Sequence, residues 1–464
     1  MLLIEAASTF DLDRTKIFAE FAQKRAEGNL LVPPTLLSKE ARRLHIRQTL
    51  REDHQFRLNN RPEGAQEKFD KLAKSPFTFF RGTALLYYRD YAGIDAHLPY
   101  VFTIGDVHPE NFGVMPNEDG APVFGIDDFD EAYIAPFSWD VRRGSVGFYI
   151  VAKENGLSRK NRDKIVRAFI GGYLEGLKEY ARDDREKWHG YRIDTSPGMI
   201  KELLEEAQSG RKAFLADLIE LDKERFVSSD KIVPHSKYIG KFQEAIDQYR
   251  QSKDIDERGR AGHFKVKDVA IKKGSGTASL GLDRFFVLID GPTDDPGDDI
   301  ILEIKQARQS ALHGLVPDRS NGKKGSNGQR KNSKKAERIV EAHAVHLVGG
   351  DPYYGHATID DISFLVRERS PYKHEIEVDD LSKAELKEYA EICGKVLAQT
   401  HARSDQDTGI LEGEAEKQIL SSINLKVFTE DMVRFAHRAA KRIYKDHQLF
   451  QKDHSLGAFN FVTK

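Results

Sequence analysis

Hydrophobic and polar positions change their spacing several times along the chain. Up to about residue 60, polar and Arg-rich positions recur at helical intervals on either side of Pro33-Pro34, which predicts short helices around a loop. From Phe77 to Asp90 the chain turns aromatic (FTFFRGTALLYYRD), and apolar runs follow at residues 100–104 and 122–126. The intervening turn, Asn117 to Gly120, is rich in Asn, Asp and Gly, so the two runs are expected to pair as a hairpin. Helical periodicity dominates from Trp139 to about Leu221.

Near His263 the character changes again. Residues 266–271, 282–289 and 300–304 predict three strands, separated by a Gly/Ser turn and a Gly/Pro/Asp loop. A Gly/Lys/Asn/Ser stretch at 319–335 reads as a solvated connector, followed by a helix over 335–348 and a hairpin through 364–366. The last third is helical, with an amphipathic segment at 381–401. The pattern predicts an α+β fold, an antiparallel strand module set between helical regions. Four units are expected: an N-terminal helical extension (1–73), a helical catalytic region with the acidic hairpin (74–260), the strand module (261–375) and a helical remainder (376–464).

Composition mainly excludes. The 464 residues carry 72 Lys+Arg against 74 Asp+Glu, a net charge of -2, which argues against coating a nucleic acid. The single cysteine, Cys393, rules out an internal disulfide or a cysteine-built zinc site and sits in an apolar helical pattern. No run approaches the roughly 18 apolar residues of a membrane helix, and the first residues lack a secretory pattern. A cytoplasmic location is the default expectation.

Chemistry concentrates in two acidic loops, Gly105-Asp106-Val107-His108-Pro109-Glu110-Asn111 and Asp127-Asp128-Phe129-Asp130-Glu131, each beginning after an apolar strand. Crowded carboxylates are unfavourable unless a cation offsets them, and hard Asp and Asn oxygens suit Mg²⁺ on phosphates. In phosphoryl transfer one carboxylate accepts the proton of the attacking hydroxyl while an Asn and a second Asp hold the metal. Asp106 then takes the role of base, and Asn111 and Asp128 those of metal ligands. His108 and Asp130 join Asp106 as catalytic candidates. The role of Asp130, like that of Asp127, is left open, and His108 is read as a structural hydrogen-bonding residue ahead of a substrate contact.

These loops resemble the H-G-D-x-x-x-x-N and D-F-G-like motifs of aminoglycoside and choline kinases, although Ile104 stands where those have His. Pro136-Phe137-Ser138-Trp139-Asp140 resembles the opening of their supporting helix, which makes Asp140 either a hydrogen-bond acceptor for the loop or an ordinary helix cap. The other half of such a site lies downstream, in Lys272-Lys273-Gly274-Ser275-Gly276 through Gly281 and in Ile304-Lys305-Gln306-Ala307. Glycines let backbone N–H groups approach phosphates, and a strand-embedded lysine needs an anion. Gly274, Ser275, Gly276 and Gly281 are therefore the expected phosphate cover and Lys305 the phosphate anchor. Glu341, ahead of Glu337, is its expected helix partner. The order implies a kinase-like, two-lobed fold in circular permutation, with the nucleotide lobe after the catalytic lobe.

Phe79-Phe80-Arg81-Gly82, GDVHPEN, DFDE with PFSWD, the glycine turn and IKQA together resemble an uncharacterised bacterial family, domain of unknown function twenty-two fifty-two, grouped with kinase-like proteins. That family tends to have Asn where this chain has Asp127. Arg81 belongs to the shared pattern and is expected to brace a carboxylate of the acidic hairpin. The expectation is an ATP- and Mg²⁺-dependent kinase-like phosphotransferase, its partners a nucleotide and an unknown hydroxyl acceptor. The alternatives are nucleotidyl (AMP) transfer on the same residues, a metal-dependent phosphoesterase suggested by Asp106-Val107-His108, and a catalytically silent nucleotide-binding pseudokinase.

Overall fold

The computed structural model describes residues 13–208, 210–253, 264–274, 281–293, 295–317, 335–372, 374 and 376–461. It is a mixed helix and strand structure whose sheets are antiparallel.

Two small sheets carry the acidic loops. Strand β1 (Tyr100–Thr103) pairs with β4 (Tyr133–Pro136), and β2 (Phe112–Pro116) pairs with β3 (Pro122–Ile126). The expected hairpin between the 100–104 and 122–126 runs is thus corrected. The Asn117–Gly120 turn does close a hairpin, but its first strand is β2, with Asn117 Oδ1 accepting the Asp119 and Ala121 N–H groups. Consequently the 104–111 loop joins β1 to β2 and the 127–132 loop joins β3 to β4, and both acidic loops emerge on one side of the paired sheets.

Beneath them lies a helical body. The Ser138–Glu154, Arg159–Asp183, Lys383–Ala402 and Leu425–Ser455 helices bury one continuous apolar core with the aromatic 77–91 segment. Close approach is set by glycine: a Cβ on Gly394 would lie 2.0 Å from the Phe169 carbonyl oxygen, and one on Gly172 2.0 Å from that of Glu391. The Lys383–Ala402 helix starts at a capping box, Ser382 with Glu385, and buries Cys393. Among the described residues no helix is long and apolar enough to cross a membrane.

The third part is a six-stranded sheet in the order β11-β12-β10-β9-β8-β7. Short β5 (Ile219–Glu220) and β6 (Arg225–Phe226) precede β7 (Ile232–Pro234), β8 (Val266–Lys272), β9 (Arg284–Ile289), β10 (Ile300–Gln306), β11 (Gly355–Ile359) and β12 (Ile362–Glu368). Alternation along β9 feeds two cores. Val287 and Ile289 pack under Phe242, Ile246 and Tyr249 of the Ile239–Lys253 helix. Phe286 and Leu288 pack with Leu215, Ile219 and Phe226. The sheet therefore draws packing partners from residues well before 261. All seven residues of β10 are buried, with Lys305 in register with Arg284 on β9 and Leu365 on β12.

Candidate functional site

The β1–β2 loop is held by its own backbone. Gly105 takes φ +78, and a Cβ there would lie 2.2 Å from the Glu131 carbonyl oxygen, so glycine is required where the two acidic loops touch. The Ile104 and Gly105 N–H groups donate to Asp140 at 2.6 and 2.9 Å. Asp140 is fully buried, and His401 Nε2 lies 3.1 Å from it, with the Tyr173 hydroxyl 2.8 Å from His401 Nδ1. Of the two readings of Asp140, the geometry is that of the acceptor anchoring the loop.

Asp106 is gripped by Arg143, whose Nε and Nη2 donate to Oδ1 at 2.8 and 2.5 Å. Arg143 is completely buried among Phe80, Tyr87 and Tyr88. Burial raises the Asp106 carboxyl above its ordinary range, and Arg143 opposes that shift. His108 Nε2 stands 3.8 Å from Asp106 Oδ2. Burial, with Arg81 and Arg143 nearby, holds His108 well below its usual value, so it is neutral. Arg81 ion-pairs with Glu110 at the mouth of the same loop, the carboxylate brace expected of it, though half-buried.

Asn111 bridges the two loops. Its Nδ2 donates to the Asp106 and Asp128 carbonyl oxygens at 3.0 and 3.2 Å. Only an N–H can satisfy two carbonyls, so Oδ1 points the other way, and it is buried without a hydrogen-bond partner. Asp128 Oδ1 accepts the Asp130 N–H at 3.0 Å, while 43% of the side chain stays exposed. Asp127 diverges: it is buried and lines a small cavity with Glu303, Asp351, Tyr354 and Arg367.

Lys305 meets these loops directly. Its Nζ lies 2.5 Å from Asp130 Oδ2 and 3.5 Å from Asp128 Oδ2. Burial works against the ammonium, and Asp128 and Asp130 more than compensate, so the lysine is held above its usual value. For Asp130 burial and Asp128 push upward and Lys305 pulls back, leaving it raised. The ion pairs of Lys305 go to these two aspartates rather than to Glu341 on the Lys335–His346 helix. Lys305, on β10, reaches the β3–β4 loop, where Asp128 and Asp130 both lie within ion-pair distance of its ammonium.

Around this contact lies a frame of ion pairs that the motifs did not flag. Glu303 pairs with Arg367 at 2.8 Å and Arg284 at 3.3 Å. Arg308 joins Asp53 and Glu131 at 3.0 and 2.9 Å, and Arg338 donates to the Asp130 and Ala132 carbonyls. One signal was available: Arg143 follows Asp140 by three residues, so on a helix the two share a face. The glycine turn is described at Gly274 and Gly281, with φ +65 and +75, while Ser275 and Gly276 lie outside the described residues. Gly281 packs on Gly64 and Arg57, and a cavity of about 500 Å³ opens between the turn, Lys272, Arg284 and the 61–67 segment.

No curated protein and no solved structure matches this chain. Residues 60–453 match the model of a family described as an uncharacterized protein conserved in bacteria (DUF2252), and with most of its length covered the chain belongs to that family.

Proposed function

We propose that this protein is an ATP- and Mg²⁺-dependent phosphotransferase acting on a hydroxyl of a small molecule or protein, on a kinase-like two-lobed fold in circular permutation. The observation that carries the reading is the contact of Lys305 with Asp128 and Asp130, which joins the glycine-turn sheet to the acidic loops. Phosphoryl transfer needs a lysine and a metal-binding carboxylate on opposite sides of one polyphosphate, with an Asn and a base on the adjoining loop. The Lys305–Asp128 contact and the Asn111 bridge between the Asp106 and Asp128 loops support giving these residues those roles.

The donors present fit the metal. Asn111 Oδ1 is a buried oxygen with no partner, and the Asp128 carboxylate is half open to solvent. Two hard oxygens from protein leave the remaining positions of an octahedral Mg²⁺ for water and phosphate. Bound there, the ion would neutralise charge on the phosphates. The polyphosphate takes the place of Asp130 on Lys305. Asp106, its Oδ1 fixed by Arg143, presents Oδ2 to the acceptor hydroxyl. The hydroxyl oxygen bonds to the γ-phosphorus, its proton passes to Asp106, and ADP leaves with the electron pair of the broken bond.

A thermal-shift titration of the full chain with ATP, with Mg²⁺ and with both tests this reading. Stabilisation should need both together, and Asp128→Ala should lose the Mg²⁺-dependent part. An unshifted wild type, or an unchanged response in Asp128→Ala, would remove the proposal. Pyrophosphate in place of ADP among the turnover products would reassign it to nucleotidyl transfer.

A further inference from the structure

A second group of carboxylates gathers where the Lys383–Ala402 helix ends and the Ala415–Ser422 helix begins. One carboxylate oxygen from each of Glu186, Asp405 and Asp407 lies within 4.8 Å of the others. Glu186 and Asp405 are only 3% and 2% exposed, and Glu416, at 2%, is near enough that both act on its charge. The cations at hand do not fill this space. Lys187 pairs with Asp407 at 3.0 Å from the solvent side, and Arg403 donates to the Val345, Glu186 and Lys187 carbonyl oxygens. Oε2 of Glu186 and Oε2 of Glu416 are both buried without a hydrogen-bond partner. Carboxyl oxygens taken from water and left without a partner beside other carboxyls are costly, and a cation between them would offset that cost.

The order of the residues says which cation. Asp405, Asp407 and Glu416 are the first, third and twelfth residues of a segment between two helices. Those are acidic ligand positions of the EF-hand calcium loop, whose twelfth residue is a chelating Glu. Gly409, at φ +67, makes the turn one place earlier than the usual sixth-position glycine, and Glu186 enters from outside the segment. Calcium holds oxygens at about 2.3–2.6 Å, so ligand atoms on opposite sides are separated by roughly 5 Å, in line with the observed spread. We infer that Glu186, Asp405 and Asp407 hold a calcium ion, with Glu416 beside them at the twelfth position, in a site that ties the C-terminal end of the Lys383–Ala402 helix to the 185–187 turn.

Calorimetric titration of the metal-stripped full chain with CaCl₂ tests the site, with MgCl₂ as competitor. One calcium per chain should bind, and Glu416→Gln and Glu186→Gln should each weaken binding at least about tenfold. Because both replace a buried carboxyl crowded by other carboxyls with a neutral amide of the same shape, the metal-free variants should melt no lower than the metal-free wild type. No calcium binding by the wild type up to about 1 mM, the weak end of such sites, would overturn the inference. So would undiminished binding in both variants, tighter binding of magnesium than of calcium, or metal-free variants that melt well below the wild type.

Discussion

At the scale of single residues, the account rests on how Asp106 is presented. Two N–H groups of Arg143 occupy Oδ1, so Oδ2 is the oxygen left for the proton in the proposed transfer. Asp106→Asn keeps an oxygen for Arg143 and removes the basic site. It should leave Mg²⁺–nucleotide affinity within about threefold while lowering single-turnover transfer at least about a hundredfold. Undiminished transfer would disqualify Asp106 as base. The type and spacing of Asp106, Asn111 and Asp128 were legible because chain chemistry is local. Arg143 was not singled out, because beside Arg142 it reads as one of a pair of solvated helix charges until the fold buries it against Phe80 and Tyr87.

At the scale of elements, the acidic loops owe their shape to Asp140. It satisfies two successive buried N–H groups and stands beside His401, all without solvent. Asp140→Ala would orphan those donors, and urea denaturation should show a loss of about 3 kcal/mol or more. A loss under about 1 kcal/mol would mean that the loop finds its conformation without this anchor. The pairing of β1 was the element misread from sequence. Apolar runs of similar length carry no mark of their partner, and the Asn/Gly turn after β2 is adjacent to a run, Phe112–Pro116, that the alternation criterion passed over. In the larger sheet β8, β9 and β10 were read within about two residues, because each is delimited by Gly, Pro or Asp clusters, while β7 and β11 were not read.

At the scale of the molecule, three regions close on one another behind the site. His346, ending the Lys335–His346 helix, stacks on Phe129 between Asp128 and Asp130, and its Nδ1 lies 3.0 Å from the Thr400 carbonyl oxygen. Burial, with His401 and Arg403 nearby, lowers its pKa from 6.5 to about 3. The native state therefore cannot take up a proton that the unfolded chain accepts below pH 6.5. This residue's contribution is constant above that pH and is lost as pH falls toward the native value. Relative to His346→Gln, the stability advantage of the wild type should shrink by up to about 1.4 kcal/mol per pH unit below the unfolded value. An advantage that holds constant or grows on acidification would show that His346 is charged in the fold.

What no short segment of sequence specifies is that β10 and the acidic loops, far apart in the chain, meet through Lys305, Asp128 and Asp130; that juxtaposition needs the whole sheet seated on the helical body. The proposal that Lys305 and the acidic loops bind a polyphosphate is tested most directly by calorimetric titration of Mg·ATP into the wild type and Lys305→Met, both checked for native circular dichroism. Saturable binding by the wild type, weakened at least about tenfold in Lys305→Met, is predicted. Equal affinity in the two proteins, or no binding by the wild type, would contradict it.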